Sequence, residues 1–154
     1  MDLILAIGIV VGILAGIWGE VSSATGMITW IGFVSWACFY ASGGGLNGLK
    51  KTIPSNLVGV FWGYVIVFGA SNLGIPYALG VSIFVACVAM CVESKWSILS
   101  FIPGAFAGCA SFFGAGFDIK GTVIALVIGG VLGYFSEVGG VFLSKIRKKT
   151  EANS

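Results

Sequence analysis

At 154 residues, 58% hydrophobic and 9% charged, with a mean hydropathy of +1.06, the chain cannot solvate a soluble globule. Such a domain carries about 25% charged residues. The net charge of +2 comes almost wholly from a basic tail at 145–154, with Lys145, Arg147, Lys148 and Lys149; it suits anionic headgroups of a lipid bilayer and is too short for a nucleic-acid partner. There is no His, the commonest metal ligand and proton carrier, so no metal, cofactor or enzymatic activity is expected.

Six apolar stretches follow in order, at 3–19, 27–42, 53–70, 75–92, 96–116 and 119–138. Six spans of about 20 residues leave no room for a soluble module, so the expected fold is all-α, a single transmembrane domain over 1–144 built as a six-helix bundle. Met1-Asp2 lacks the positive charge that a secretory signal needs, so the first stretch is read as a mature span. The second break carries Lys50 and Lys51, the fourth Lys95, and the tail four more basic residues, while the alternate breaks carry only Lys120. Short cytoplasmic loops retain Lys and Arg, so both termini are expected in the cytoplasm. Trp18, Trp30, Trp96 and Tyr77 fall near span ends, where an amphipathic ring suits the headgroup level.

Glycine is the second signal. Gly8, Gly12 and Gly16 share one face of the first span, and Ala125, Gly129 and Gly133 one face of the last. Gly59 with Gly63, and Gly104 with Gly108, repeat the spacing. Helices in lipid associate through close backbone approach across such small residues, either inside the bundle or in a homo-oligomer. A weak repeat sets Ala37-Cys38 on Ala86-Cys87, Ile53-Pro54 on Ile102-Pro103 and Gly59 on Gly108, which would make a helix hairpin the repeated unit.

Pro54 follows the Lys50-Lys51 break and reads as an ordinary helix start, whereas Pro103 lies well inside the fifth span and would kink or break it. A half-helix opened at Pro103 would aim free N–H groups at a polar solute. No span carries a charge at its centre, which argues against coupled ion pumping. Glu20 and Glu137 lie at span ends as solvated mouth carboxylates, behind the related strings Gly16-Ile17-Trp18-Gly19 and Gly133-Tyr134-Phe135-Ser136. Ser35, Ser55, Asn56, Ser82, Ser100, Ser111 and Thr122 are the mild polar groups inside the spans. Asn56 costs most to bury, and its nearness to Pro54 lets it serve its own helix's opening turn. With Trp36, Trp62, Phe112 and Phe113, residues Ser55, Asn56 and Ser111 are pore or substrate-contact candidates, against the plainer reading of aromatic core. Cys38, Cys87, Cys91 and Cys109 read as buried hydrophobes. Cys87 and Cys91 share a helix face that could offer two ligands to Cu(I), a reading set aside for want of His.

The strings Gly16-Ile17-Trp18-Gly19, Trp30-Ile31-Gly32-Phe33, Gly43-Gly44-Gly45-Leu46-Asn47-Gly48-Leu49 and Leu99-Ser100-Phe101-Ile102-Pro103-Gly104 occur in this order. Together they resemble the YcdZ-like family of small bacterial inner-membrane proteins, over about 3–138. The resemblance implies a bacterial inner-membrane location and carries over no substrate and no active residues. The uncharged interior points to a channel or facilitator for a small uncharged solute such as urea, a short amide or a neutral weak acid. The alternative is a non-transporting structural or accessory membrane subunit that packs through its glycine faces.

Overall fold

The computed structural model describes residues 2–152, with side chains through Ile146; the charged groups of Arg147, Lys148 and Lys149, and Met1, lie outside the described residues. All regular structure among the described residues is helical: α1 Leu3–Thr25, α2 Thr29–Ala41, α3 Gly45–Asn72, α4 Ala78–Glu93, α5 Ile102–Gly114 and α6 Ile119–Ala152, with a 3-10 turn at Ser97–Leu99. Three of them, Leu3–Thr25, Gly45–Asn72 and Ile119–Ile146, are long and apolar enough to cross a membrane. At 13 residues each, α2 and α5 extend only about 20 Å, short of a hydrocarbon core of about 30 Å.

The prolines exchange the roles expected of them. Pro54 lies inside α3, which starts at Gly45 and so takes in Lys50 and Lys51. Pro103 sits in the first turn of α5, after the chain has left helix at Ser100 and Phe101. The fifth stretch is therefore interrupted before Pro103, not bent at it. Proline suits a first turn because the N–H it lacks would be unpaired there. The basic stretch from Lys145 continues α6 rather than forming a separate tail.

Glycine sets the packing. A Cβ at Gly59 would run into the backbone of Ala105, and one at Gly129 into the backbone of Gly32, so α3 lies on α5, and α6 on α2, at backbone contact. One turn on, Gly63 faces the ring of Phe112 and Gly133 the ring of Phe39. Further along, Gly69 faces Ser82 of α4 and Gly139 faces Val10 of α1. The turns match too. After α2, the N–H groups of Ser42, Gly43 and Gly44 donate to the carbonyls of Cys38, Tyr40 and Phe39 at 2.9, 3.1 and 3.1 Å. After α5, those of Ala115, Gly116 and Phe117 donate to Ser111, Phe113 and Phe112 at 2.9, 3.1 and 3.0 Å. Gly43 and Gly44 have φ of 102° and 68°, Gly116 and Phe117 65° and 70°. A bulky side chain rarely adopts that left-handed conformation, so Phe117 holds a strained position that its counterpart Gly44 occupies freely.

The repeated unit is thus three helices, α1–α3 and α4–α6, and not the hairpin that the sequence offsets suggest. Its sense is inverted. Helix α3 runs parallel to α5, since Ser55 meets Gly104 and Gly63 meets Phe112. Helix α2 runs parallel to α6, since Gly32 meets Gly129 and Trp36 meets Ser136. Helices α2 and α3 are antiparallel, through Ser42 with Thr52 and Ser35 with Asn56. Consequently α3 and α6, the matching helices, point in opposite directions. The central four, α2, α3, α5 and α6, close on Ile31, Val60, Phe112, Ala125 and Leu126, with α1 outside on α6 and α4 outside on α3.

Candidate functional site

The seam between the halves holds several of the buried polar groups. Asn56 is fully buried and donates from Nδ2 to Ser35 Oγ of α2 at 2.8 Å, so it ties two helices together instead of serving its own first turn. Asn56 Oδ1, Ser55 Oγ, Ser111 Oγ and Thr122 Oγ1 are buried without a protein partner. Those of Ser55, Asn56 and Ser111 come from α3 and α5, which the glycine contacts bring together, since Gly108 abuts the Asn56 backbone and Gly104 abuts Ser55, while that of Thr122 lies on α6. Leaving such a group unpaired costs about 1–3 kcal/mol. None of the three cavities described, of about 360, 510 and 240 Å³, is lined by Asn56 or Ser111. Ser55, Asn56, Ser111 and Phe112 therefore share one seam, and it is closed by packing.

The remaining pore candidates lie elsewhere. Phe112 is core, edge-on to Phe113 and Phe117, while Phe113 is 37% exposed. Trp36 is buried between α2 and α6 and donates from Nε1 to Ser136 Oγ at 3.1 Å. Tyr40 shares that hydroxyl at 2.8 Å, and Ser136 in turn donates to the Gly133 carbonyl. Trp62 sits between α3 and α4 and donates from Nε1 to Glu93 Oε2 at 3.0 Å. Neither tryptophan lies with the Asn56 group.

Glu137 is more than a solvated carboxylate. Its Oε2 accepts the Gly45 N–H at 2.6 Å, on the first residue of α3, where a negative charge meets the positive end of the helix dipole. A Cβ at Gly44 would lie 2.8 Å from Glu137 Oε1, so the glycine run at the α2–α3 turn admits the carboxylate. Glu20, by contrast, is exposed on α1. Trp18 is buried: its ring fills the space over Gly32 and its Nε1 donates to the Thr29 carbonyl at 3.0 Å. Trp30, Trp96 and Tyr77 are exposed. The face of Gly8, Gly12 and Gly16 meets no other atom of the chain within 4 Å of an added Cβ, so these glycines, unlike Gly129 and Gly133, do no packing here. The Trp36–Ser136, Trp62–Glu93 and Glu137–Gly45 pairs join residues too far apart in sequence for spacing to reveal, and no local signal marks them. No cluster of three or more metal-ligating side chains occurs among the described residues.

Large apolar side chains point outward along these helices, with Ile4 79%, Phe84 68% and Phe142 65% exposed. Surfaces of that kind on helices of this length define an integral membrane protein. Residues 8–141 match the family described as "Protein of unknown function (DUF1097)", and the chain belongs to that family. It is 37% identical to the inner membrane protein YcdZ of Escherichia coli K12, across 97% of this chain and 93% of that protein. It is 36% identical to the protein of the same name from Salmonella typhimurium LT2, across 100% and 98%. The uncharacterized protein YahC of Escherichia coli K12 is 34% identical, across 98% and 99%. No solved structure matches.

Proposed function

We propose that the chain is a six-span facilitator of the inner membrane, with both termini cytoplasmic and no enzymatic activity, which passes a small neutral solute along the seam between its halves. The observation that carries this reading is the inverted pairing of two three-helix units, with the buried, unpartnered oxygens of Ser55, Asn56 and Ser111 where α3 of one meets α5 of the other. Transporters built from inverted repeats bind substrate near the bilayer midplane, at the interface of the repeats. Hydroxyl and amide groups suit urea, a short amide or a neutral weak acid, since the seam holds no charge to couple to an ion. Because the seam is packed, passage requires one unit to rock against the other; a standing pore is not part of the proposal. The one-sided placement of Lys50, Lys51, Lys95 and Lys145 supports the orientation.

Proteoliposomes shrinking and swelling with urea, acetamide and acetic acid test this reading. Protein-containing vesicles should equilibrate faster than empty ones with at least one of these solutes, without dependence on membrane potential. Asn56→Leu should slow that flux, and Glu20→Gln should leave it unchanged. Equal rates in empty and loaded vesicles would overturn it.

A second reading, a non-transporting accessory subunit, is favoured by the open glycine face of α1, which is exposed and unpacked within the chain. Small-residue faces in membranes take another helix, and we propose a second copy of this chain as that neighbour. Absence of flux together with a stable assembly would favour this second reading.

A further inference from the structure

The pocket of about 360 Å³ lies where α3 begins, walled by Asn47, Lys50 and Lys51 of that helix and by Ser97 and Ile98 of the 3-10 turn after α4. Lys50 and Lys51 follow Asn47 by three and four residues, so all three share the helix face on which this turn packs. The rest of α3, 53–72, carries no charge and extends about 30 Å, the thickness of a hydrocarbon core. The two lysines therefore sit at the edge of the apolar layer, where a charge need not be desolvated. Trp96 and Ile98 are exposed beside them, 64% and 54%.

No carboxylate lines the pocket. Among the described residues neither lysine has an ion pair, and neither the Asn47 amide nor the Ser97 hydroxyl has a hydrogen-bond partner within the protein. Two carboxylates on helices packed against α3 are engaged elsewhere, Glu93 Oε2 with the Trp62 Nε1–H and Glu137 Oε2 with the Gly45 N–H. Two ammonium groups and two neutral donors thus border one space without a counter-charge. A carboxylate, with two oxygens and a single charge, would engage only part of this set. A phosphate group brings more charge and three or more acceptor oxygens, and lysine binds it as a point charge.

We propose that this pocket binds a phosphate group, with Lys50 and Lys51 supplying the charge and Asn47 and Ser97 the neutral hydrogen bonds. Its level suits the headgroup of a phospholipid, since basic pockets between membrane helices take such groups; a soluble phosphate ester offers the same chemistry. The site is separate from the Asn56 seam and stands whether or not a solute passes there.

Two measurements on the full-length protein in neutral detergent test the proposal and distinguish the sources: native mass with dioleoyl phosphatidic acid, and calorimetric titration with inorganic phosphate at constant ionic strength. At least one probe should bind at one per protomer. Binding of the lipid alone marks a headgroup site, and binding of inorganic phosphate, with or without the lipid, a site open to soluble phosphate esters. For whichever probe binds, Lys50→Ala and Lys51→Ala should each weaken it about tenfold, and Asn47→Ala and Ser97→Ala each about fivefold. Lys145→Ala removes the same charge from an exposed position that does not line the pocket, and should leave the affinity unchanged. Binding of neither probe, an equal loss with Lys145→Ala, or unchanged binding when Asn47→Ala and Ser97→Ala are combined would each overturn the proposal.

Discussion

Alanine at Gly129 and alanine at Gly80 should move stability in opposite directions, although both glycines are interior to helices. In helix-forming peptides the substitution gains about 1 kcal/mol from propensity alone. At Gly80 nothing lies within 4 Å of the new Cβ, so that gain should be realised in full. At Gly129 the Cβ would lie 2.7 Å from the carbonyl carbon and 2.8 Å from the Cα of Gly32, under the 3.0 Å that real Cβ atoms respect. The obstacle is backbone on a facing helix, so relief requires α2 and α6 to separate and to disturb the Trp36–Ser136–Tyr40 network one to two turns away. Overpacking of this kind costs about 1–3 kcal/mol and sits at the upper end when no side chain can yield. The net expectation is a loss of about 1–2 kcal/mol for Gly129→Ala and a gain of up to about 1 kcal/mol for Gly80→Ala. Equilibrium unfolding in mixed micelles, followed by helical circular dichroism, reads both variants on one scale. Gly59→Ala, which meets the Ala105 backbone, should behave like Gly129→Ala. If Gly129→Ala were as stable as Gly80→Ala, the close α2–α6 crossing would be wrong.

Glu137→Ala should destabilise by about 0.5–2 kcal/mol through loss of the acceptor for the α3 N-terminus, and Glu137→Gln should restore part of it; the same unfolding assay checks the pair. Trp36→Phe should cost about 1 kcal/mol by removing the donor to Ser136, and the loss should vanish in a Ser136→Ala background, as a double-mutant cycle would read. Gly12→Leu should dissociate an assembly of this chain without unfolding the protomer, since that face is empty within it; cross-linking and native mass in mild detergent separate the two outcomes.

Helix content and the glycine spacing of the last stretch were legible in the sequence because both are local. The first glycine face was equally legible as a pattern, yet its use was not, because Gly12 and Gly129 differ only in what stands opposite. Pro54 is misplaced for a related reason, whereas of the kink or break expected at Pro103 the break is found, just ahead of it. Lys50 and Lys51 looked like the end of a loop, but Gly45, with φ of 61°, starts the helix ahead of them. The true repeat escaped because the stretch from Gly45 to Gly59 is about one helical turn longer than that from Ile119 to Gly129. No single offset then aligns both the turns and the glycines. Of the site, Asn56, Ser55 and Ser111 could be proposed from their cost of burial, whereas Trp36, Trp62 and Glu137 found partners that only the fold supplies.

The most direct test of two halves facing opposite ways is the sidedness of their matching turns. Cysteines placed at Leu46 and at Lys120, both exposed just after those turns, can be probed in spheroplasts with a membrane-impermeant maleimide, each in a background lacking the native thiols. The account predicts that Lys120→Cys reacts from outside and that Leu46→Cys reacts only after the membrane is opened. Both positions reacting from the same side would contradict the inverted repeat, and with it the proposed path between the halves.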